Sequence, residues 1–472
     1  MITQFIKNKL AFNIKNYLAL AGSLFLVISI NSNSSHLKIF NDFVYKFDLN
    51  SLIVIFNTFR FLIPFFIFFI LVLITLINIK YFINQKHLIF LIILKFNFIF
   101  QLIVYKFHSL QFDIGYIQLA INCINFALIF SLSNAYELKF FNKIIFYFTF
   151  IFLFLVSIYF SINILISALN TGKFYLYWTE SLSPIGQFIG QPNPRVTGLS
   201  KILVIYFVFH FFIFFQTNKN KNIINYLVLF TCVFFIYGMQ TRGGLAGIII
   251  FILFYIFFVK EIFLNKLKKL ILILLIPILF YEFFMNNIFK MNFYKKIEIE
   301  KDLKLEKSNR YVKDDGFLIH SSGRSELWKI GINEIKKNEI IFGYGPQGDR
   351  QIFDKLKNDN SLENSRAIKW STNISNGLLY TYLSGGIFGL ILIISIYILT
   401  IKEIIFAIFF NGVFKKNSKT EIVAIFCLIY LCFRSLYENG FAVFSTDYIL
   451  FVINFFNLYK FNLNSKVKSF KK

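Results

Sequence analysis

Apolar residues run along this chain in long blocks joined by short polar connections, and one polar interlude, residues 289–375, interrupts the series. A block of about 20 apolar residues is what a helix needs to cross a bilayer, and a soluble core does not explain so many of them. The pattern predicts twelve spans, at roughly 11–30, 61–79, 87–105, 114–133, 144–168, 199–216, 223–240, 243–260, 269–287, 376–401, 420–436 and 445–460. Residues 39–58 read as an amphipathic helix lying in the interface after the first span. The expected fold is all-α and polytopic, in three parts. Residues 1–288 hold nine spans, 289–375 form one large, partly helical loop domain, and 376–472 hold three spans and a basic tail.

Within the interlude the period changes. From Arg324 to about Asn338, apolar residues fall at Leu327, Trp328, Ile330, Ile332 and Ile335, with Lys and Glu between them. That is one face of an amphipathic helix. Ser322 and Gly323 stand where its N-terminus needs a cap, and Gly343-Tyr344-Gly345-Pro346 ends the element in a turn.

The chain is 57% hydrophobic and 15% charged, with a net charge of +25. Such a charge suits nucleic acid, but its placement excludes that reading, because the basic residues sit in short loops between apolar blocks. One set of loops holds Lys7, Lys9, Lys15, Lys80, Lys86, Lys139, Lys143, Lys219, Lys221, Lys260, Lys266, Lys268, Lys269, Lys402, Lys415, Lys416 and Lys419, and the tail from Lys460 to Lys472 joins it. The alternate loops hold few. The first set is therefore cytoplasmic, with both termini inside. The N-terminal Lys residues before an apolar run resemble a signal sequence, but no cleavage site follows Ile30, so an uncleaved first helix is expected. The interlude, the loop 169–198 and the turn at Arg242 then share the outer face. Cys123, Cys232, Cys427 and Cys432 fall inside apolar blocks and read as small hydrophobes.

Three arginines on that face sit among glycines. Arg195 precedes Gly198, Arg242 lies in Thr241-Arg242-Gly243-Gly244, and Arg324 follows Gly323. A guanidinium is a permanent fork that suits phosphate oxygens, and glycine lets backbone approach them closely. Gathered at one membrane face, these groups suit the pyrophosphate of a lipid-linked donor. The structural alternatives are snorkelling to headgroups for Arg195 and Arg242, and helix capping or an ion pair for Arg324. Arg434 reads as a headgroup contact, and Glu438 and Asp447 as carboxylates that either pair with arginine or act as a base. Gly385, Gly386 and Gly389 read as close helix packing. Of the five histidines only His320 lies in the interlude. No metal or nucleotide motif occurs in a credible setting, so chemistry without metal or cofactor is expected.

In this order the motifs resemble the O-antigen ligase and polymerase family of bacterial envelope glycosyltransferases, over roughly residues 185–450. Arg195 with Gly198 resembles the family's Arg-x-x-Gly before a span, and Thr241-Arg242-Gly243 its Ser-Arg-Gly turn. Gly323-Arg324, Leu327-Trp328 and Gly343-Tyr344-Gly345 resemble its loop signature. Ser375-Asn376, Leu379, Gly386 and Gly389 fall on its His-Asn-x-x-Leu…Gly-x-x-Gly register, and Arg434 to Asp447 resembles its tail. The resemblance implies a type C glycosyltransferase fold in the bacterial inner membrane, with its active face in the periplasm. It implies transfer of a glycan from undecaprenyl pyrophosphate to a hydroxyl of lipid A-core in ligases, or of another repeat unit in polymerases. Arg195, Arg242 and Arg324 would neutralise the leaving group. Gly198, Gly323, Gly343, Gly345, Ser375 and Asn376 would line the substrate.

One departure matters. The family's histidine is Ser375 here, and a serine is no base near neutrality without a partner. Glu438 and His320 are the candidates to replace it. The ligase is the reading adopted, and the polymerase is its alternative within the family. A lipid-linked glycan transporter and a non-catalytic envelope scaffold are the alternatives outside it. The charge asymmetry makes a topological prediction. An alkaline phosphatase fusion after Arg310 should be active and one after Lys415 inactive, and the opposite pair of results would turn every loop assignment over.

Overall fold

Helix is the only regular structure among the described residues, as an apolar chain requires when each backbone group must find its partner inside its own segment. The structure is a computed structural model. It describes scattered positions between 147 and 165, residues 196–215, 223–239, 241–283, 324–337 and 341–344, scattered positions between 349 and 356, and residues 374–414, 416, 418–438 and 446–469. The first four expected spans and the interfacial helix at 39–58 lie outside these residues, and the fifth is represented only at scattered positions.

Eight helices follow in order. They are α1 (Val196–His210), α2 (Ile223–Gly238), α3 (Arg242–Phe258), α4 (Phe263–Leu270), α5 (Arg324–Lys337), α6 (Gly377–Ile405), α7 (Lys419–Ser435) and α8 (Thr446–Ser469). Wider π-turns extend α1 over Phe211–Phe215, α4 over Ile271–Leu275 and α6 over Phe406–Phe410. Gly198–Phe215 and Gly377–Phe410 are long and apolar enough to cross a membrane, while the apolar helices Ile223–Gly238 and Arg242–Phe258 are shorter. The count of twelve spans and the three-part division remain expectations.

The helices alternate in direction, so their ends collect in two groups. At one end meet the starts of α1, α3, α6 and α8 and the ends of α2 and α7. There Thr241 donates to Ser200, and the Asn376 side chain donates to the Leu436 carbonyl. At the other end Asn411 donates to Asn462, Asn462 donates to Glu403, and Phe258 stacks on Phe414. Lys260, Lys266, Lys268, Lys269, Lys402, Lys416 and Lys419 belong to this second end by their positions in the helices. Between the ends the core is aromatic. Phe251 meets Phe207, Phe211 and Phe426 edge-on, with centroids 4.9, 5.1 and 6.3 Å away. On α3 the small residues Gly243, Gly244 and Gly247 let α1 and α7 come close. A Cβ at Gly247 would meet Val204 at 2.7 Å and Tyr430 at 2.9 Å.

The glycines of α6 do something different from the helix packing expected of them. Gly386 has φ 62° and ψ −154°, a conformation open essentially to glycine alone, and it breaks the helix. In an unbroken helix the Ile387 N–H would bond the Leu383 carbonyl. Here Ile387 N–H donates to the Ile341 carbonyl at 2.9 Å, and Leu383 carbonyl accepts from Tyr344 N–H at 2.7 Å. The segment 341–344 of the interlude is thus inserted into the broken ladder and satisfies both freed groups. Gly343, at φ 81°, makes the approach possible, since a Cβ there would stand 2.6 Å from Gly386 N.

The interlude also has a small core. Leu327 and Trp328 of α5 pack with Ile352, Phe353, Ile374, Tyr380 and Leu383. Trp328 Nε1 donates to the Ile374 carbonyl at 3.1 Å, and Ile374 N–H donates to Asp349 Oδ2 at 3.0 Å. Leu327, Trp328, Ile330 and Ile335 of the face predicted for α5 therefore pack in this core against the first two turns of α6, ahead of the break, while Ile332 is exposed.

A Cβ at Gly386 would lie 1.9 Å from the Ile341 carbonyl oxygen. Gly386→Ala should therefore destabilise the protein, by on the order of 3 kcal/mol from the backbone conformation before any clash is counted. A thermal midpoint measured in detergent checks this. A wild-type midpoint would mean that the inserted segment does not hold the break open.

Candidate active site

Some of the polar residues singled out along the chain come together at the first end of the bundle in two ion-paired groups. The deeper group holds three buried charges. Asp447, on the first turn of α8, pairs through Oδ1 with Lys201 of α1 and accepts at 2.9 Å through Oδ2 from Arg434 Nε of α7. Each of the three residues is only 5% exposed. Two cations on one carboxylate leave this core with a formal excess of one positive charge.

Arg434 was expected at the headgroups. It turns inward because α3 offers it a place. Gly243 has no side chain, and a Cβ there would sit 3.0 Å from the Arg434 Nη1 and 3.4 Å from the Tyr437 hydroxyl. Tyr430 completes the contact by donating to the Gly243 carbonyl at 3.0 Å. Thr241 caps α3, accepting from Gly244 N–H at 3.2 Å while its hydroxyl donates to Ser200 at 2.5 Å. The Thr241-Arg242-Gly243-Gly244 turn is thereby fixed to α1 and α7, with the Arg242 residue itself exposed.

The second group lies nearer the surface. Arg324, the first residue of α5, donates from Nη2 to Glu438 Oε1 at 2.7 Å, and both side chains are about a quarter exposed, at 27% and 24%. Its guanidinium carbon stands 5.8 Å from the Tyr437 ring centroid, a cation–π contact. Glu438 follows the end of α7 in a short turn that Asn376 braces. The Asn376 amide donates to Leu436 carbonyl at 2.8 Å, and its Oδ1 caps α6 by accepting from Leu379 N–H at 2.9 Å. Gly377 lets that turn approach, since a Cβ there would meet the Ser435 carbonyl oxygen at 2.7 Å. Between the two groups lies Tyr437. Its hydroxyl is buried with no hydrogen-bond partner among the described residues. Burial pushes its phenol up to about 12, against the opposing pull of Arg434.

Of the expected site residues, Arg324 and Glu438 meet here, Asn376 braces the turn that carries Glu438, and Arg242 lies next to Gly243, which faces Arg434 and Tyr437. Gly198 is buried in α1 one turn before Lys201, and Gly343 holds the break in α6. Ser375 has φ 47°, an unusual left-handed conformation for a residue that is not glycine, at the entry to α6. Arg195, His320, Gly323 and Gly345 lie outside the described residues. The site also contains three residues that the sequence reading did not assign to it: Lys201, Arg434 and Tyr437. For Lys201 the available signal was a charged residue within the first turns of an apolar block, and for Arg434 one in the last turn. Among the described residues no group of three or more His, Cys, Asp or Glu gathers as a metal site would require.

Residues 227–394 match the protein-family model described as O-antigen ligase. The match runs from α2 into α6 and takes in Arg242, α5, Gly343 and Asn376. It supports membership of the O-antigen ligase and polymerase family, a family of membrane glycosyltransferases of the bacterial envelope. No curated protein and no solved structure matches the chain.

The deep group makes an unequal prediction for its members. Asp447→Asn leaves two cations buried without their carboxylate, a loss of about 3–5 kcal/mol for a broken buried pair. Lys201→Met leaves Arg434 and Asp447 as a neutral pair and should cost much less. Comparison of the two midpoints in detergent decides it, and equal losses would show that Asp447 does not hold both cations.

Proposed function

We propose that this chain is an O-antigen ligase-type glycosyltransferase. It moves a glycan from undecaprenyl pyrophosphate to a hydroxyl of lipid A-core at the periplasmic face of the inner membrane, without metal. The observation that carries this reading is the meeting of cations from separate parts of the chain at one end of the bundle. Arg242 from the α3 turn, Arg324 from the interlude, and Lys201 with Arg434 beneath them stand within one region whose charge exceeds that of Glu438 and Asp447. The family match over 227–394 supports glycosyl transfer as the reaction class.

The chemistry follows from the charges. As the glycosyl–oxygen bond breaks, negative charge develops on the departing pyrophosphate. Guanidinium groups fixed in advance stabilise that charge more than they stabilise the bound donor, which lowers the barrier. Their mountings serve this end. Arg324 is set by the packing of α5 on α6, and Arg242 by the cap that ties its turn to Ser200. Arg195 precedes α1 in the chain and is assigned to the same leaving group from its motif.

Purified protein in lipid nanodiscs, given an undecaprenyl-pyrophosphate glycan, should glycosylate lipid A-core, also in the presence of EDTA. Transfer to a repeat-unit acceptor alone would make it the polymerase, and loss of transfer on chelation would reveal a metal. Arg195→Lys, Arg242→Lys and Arg324→Lys should each impair transfer per folded protein, because an ammonium cannot replace a two-pronged contact. Arginine-to-alanine changes should cost on the order of 10²–10³-fold if the contact tightens in the transition state. Near wild-type rates for all three lysine variants would reduce these arginines to membrane anchors.

A further inference from the structure

The pair formed by Arg324 and Glu438 points to a task for the carboxylate. We infer that Glu438 is the proton acceptor of the transfer, held by Arg324 until the donor's pyrophosphate draws that arginine to itself. The inference rests on the glycosyltransferase reading and adds a residue role and an order of events to it.

Glu438 stands apart from the other carboxylate of the site. Asp447 is buried and committed to two cations, so it is neither reachable nor free to take a proton. Glu438 is about a quarter exposed, at 24%, and engages one cation through one hydrogen bond. Its turn is fixed by Asn376 and by the close approach at Gly377, so the carboxylate keeps its place when its partner moves. Arg324 is suited to exchange. A guanidinium carries five N–H donors, and the hydrogen bond to Glu438 uses one Nη2 proton. A diphosphate offers two charged groups against a single carboxylate charge, and it would find the exposed Arg242 in the same region, with the positive field of the buried Lys201 and Arg434 beneath it. It would also give an acceptor to the buried Tyr437 hydroxyl, which has none among the described residues.

The step balances. The acceptor oxygen bonds to the anomeric carbon, and the bond from that carbon to the pyrophosphate oxygen breaks. The proton of the acceptor hydroxyl passes to the Glu438 carboxylate, and the new charge on the lipid pyrophosphate rests against Arg324. This assignment fills the place left by Ser375, which has no basic side chain.

Two readouts test it on the full chain in nanodiscs. The first is equilibrium binding of undecaprenyl pyrophosphate, which needs no turnover. If Arg324 is shared between carboxylate and phosphate, Glu438→Gln should bind the lipid more tightly, on the order of tenfold. Glu438→Asp, which keeps the charge but shortens the reach to Arg324, should also bind it more tightly. In an Arg324→Gln background neither gain should appear. A gain of equal size in that background, or no gain from either variant, overturns the exchange. The second readout is turnover. Glu438→Gln should lower kcat by about 10²–10⁴-fold without raising the donor KM. A charge-swapped Arg324→Glu/Glu438→Arg protein that recovers transfer would show a merely structural pair and overturn the proton role. If the wild-type protein transfers no glycan while the binding pattern holds, the ligase reading fails and the exchange stands.

Discussion

Freed backbone groups inside an apolar helix must be satisfied, and the break at Gly386 shows how this chain meets that requirement. With no water available in a bilayer core, a lost helical hydrogen bond costs several kcal/mol unless another donor and acceptor replace it. The segment 341–344 supplies both, to Leu383 and to Ile387. The consequence is mechanical as well as energetic. The polar interlude cannot swing freely from the bundle, because its own backbone completes a helix of the bundle. From this junction the placement of α5 follows, since Leu327 and Trp328 pack on Ile374, Tyr380 and Leu383 just ahead of the break. The placement of α5 in turn brings its first residue, Arg324, over the turn that holds Glu438.

Beneath that contact the buried charges work by a different rule. Ion pairs in a low-dielectric interior lose in desolvation much of what they gain by attraction, so they seldom add stability over an apolar alternative. What Lys201, Asp447 and Arg434 provide is position. They tie the start of α1, the start of α8 and the end of α7 together, and Arg434 reaches up beside Gly243. A glycosyl transfer that relies on charge stabilisation needs cations that do not relax when the charge appears. A core with an unbalanced positive charge, locked by three helices, meets that need.

Much of this was legible in the sequence, for reasons that also explain what was not. Helix α5 was predicted from Arg324 to about Asn338 and is observed over Arg324–Lys337, because its apolar period and its glycine neighbours are local signals. The α-helical class followed from the length of the apolar blocks. The arginine motifs were visible because each lies among glycines. Partners were not visible. Arg324 and Glu438 are 114 residues apart, and Lys201 and Asp447 are 246 apart, and nothing local encodes such a pairing. The break in α6 was hidden for another reason. Gly385, Gly386 and Gly389 stand in an uninterrupted apolar run, where glycine reads as a site for a neighbouring helix. A close approach was the right inference, but the approaching backbone belongs to the loop. Arg434 was assigned to the headgroups because an arginine at a helix end ordinarily goes there. The space above Gly243 that draws it inward exists only in three dimensions.

The distribution of buried charge bears on whether the protein works at a surface or conducts a cargo through itself. A transporter for an anionic lipid needs polar groups along the depth of its spans, since a cation only at the entrance would bind the cargo without passing it on. Among the described residues the buried charged side chains are Lys201, Lys266, Asp349, Arg434 and Asp447. Lys201, Arg434 and Asp447 stand at one end of the helices and Asp349 in the interlude, while Lys266 stands at the other end on the Ile256 carbonyl. Between the ends of the described helices, Phe251 meets Phe207, Phe211 and Phe426 in edge-on contacts. Charge gathered at one end of the described helices suits an anionic headgroup bound where an acceptor at the same face can reach it. That arrangement favours an enzyme that receives its lipid donor and its acceptor at the same face.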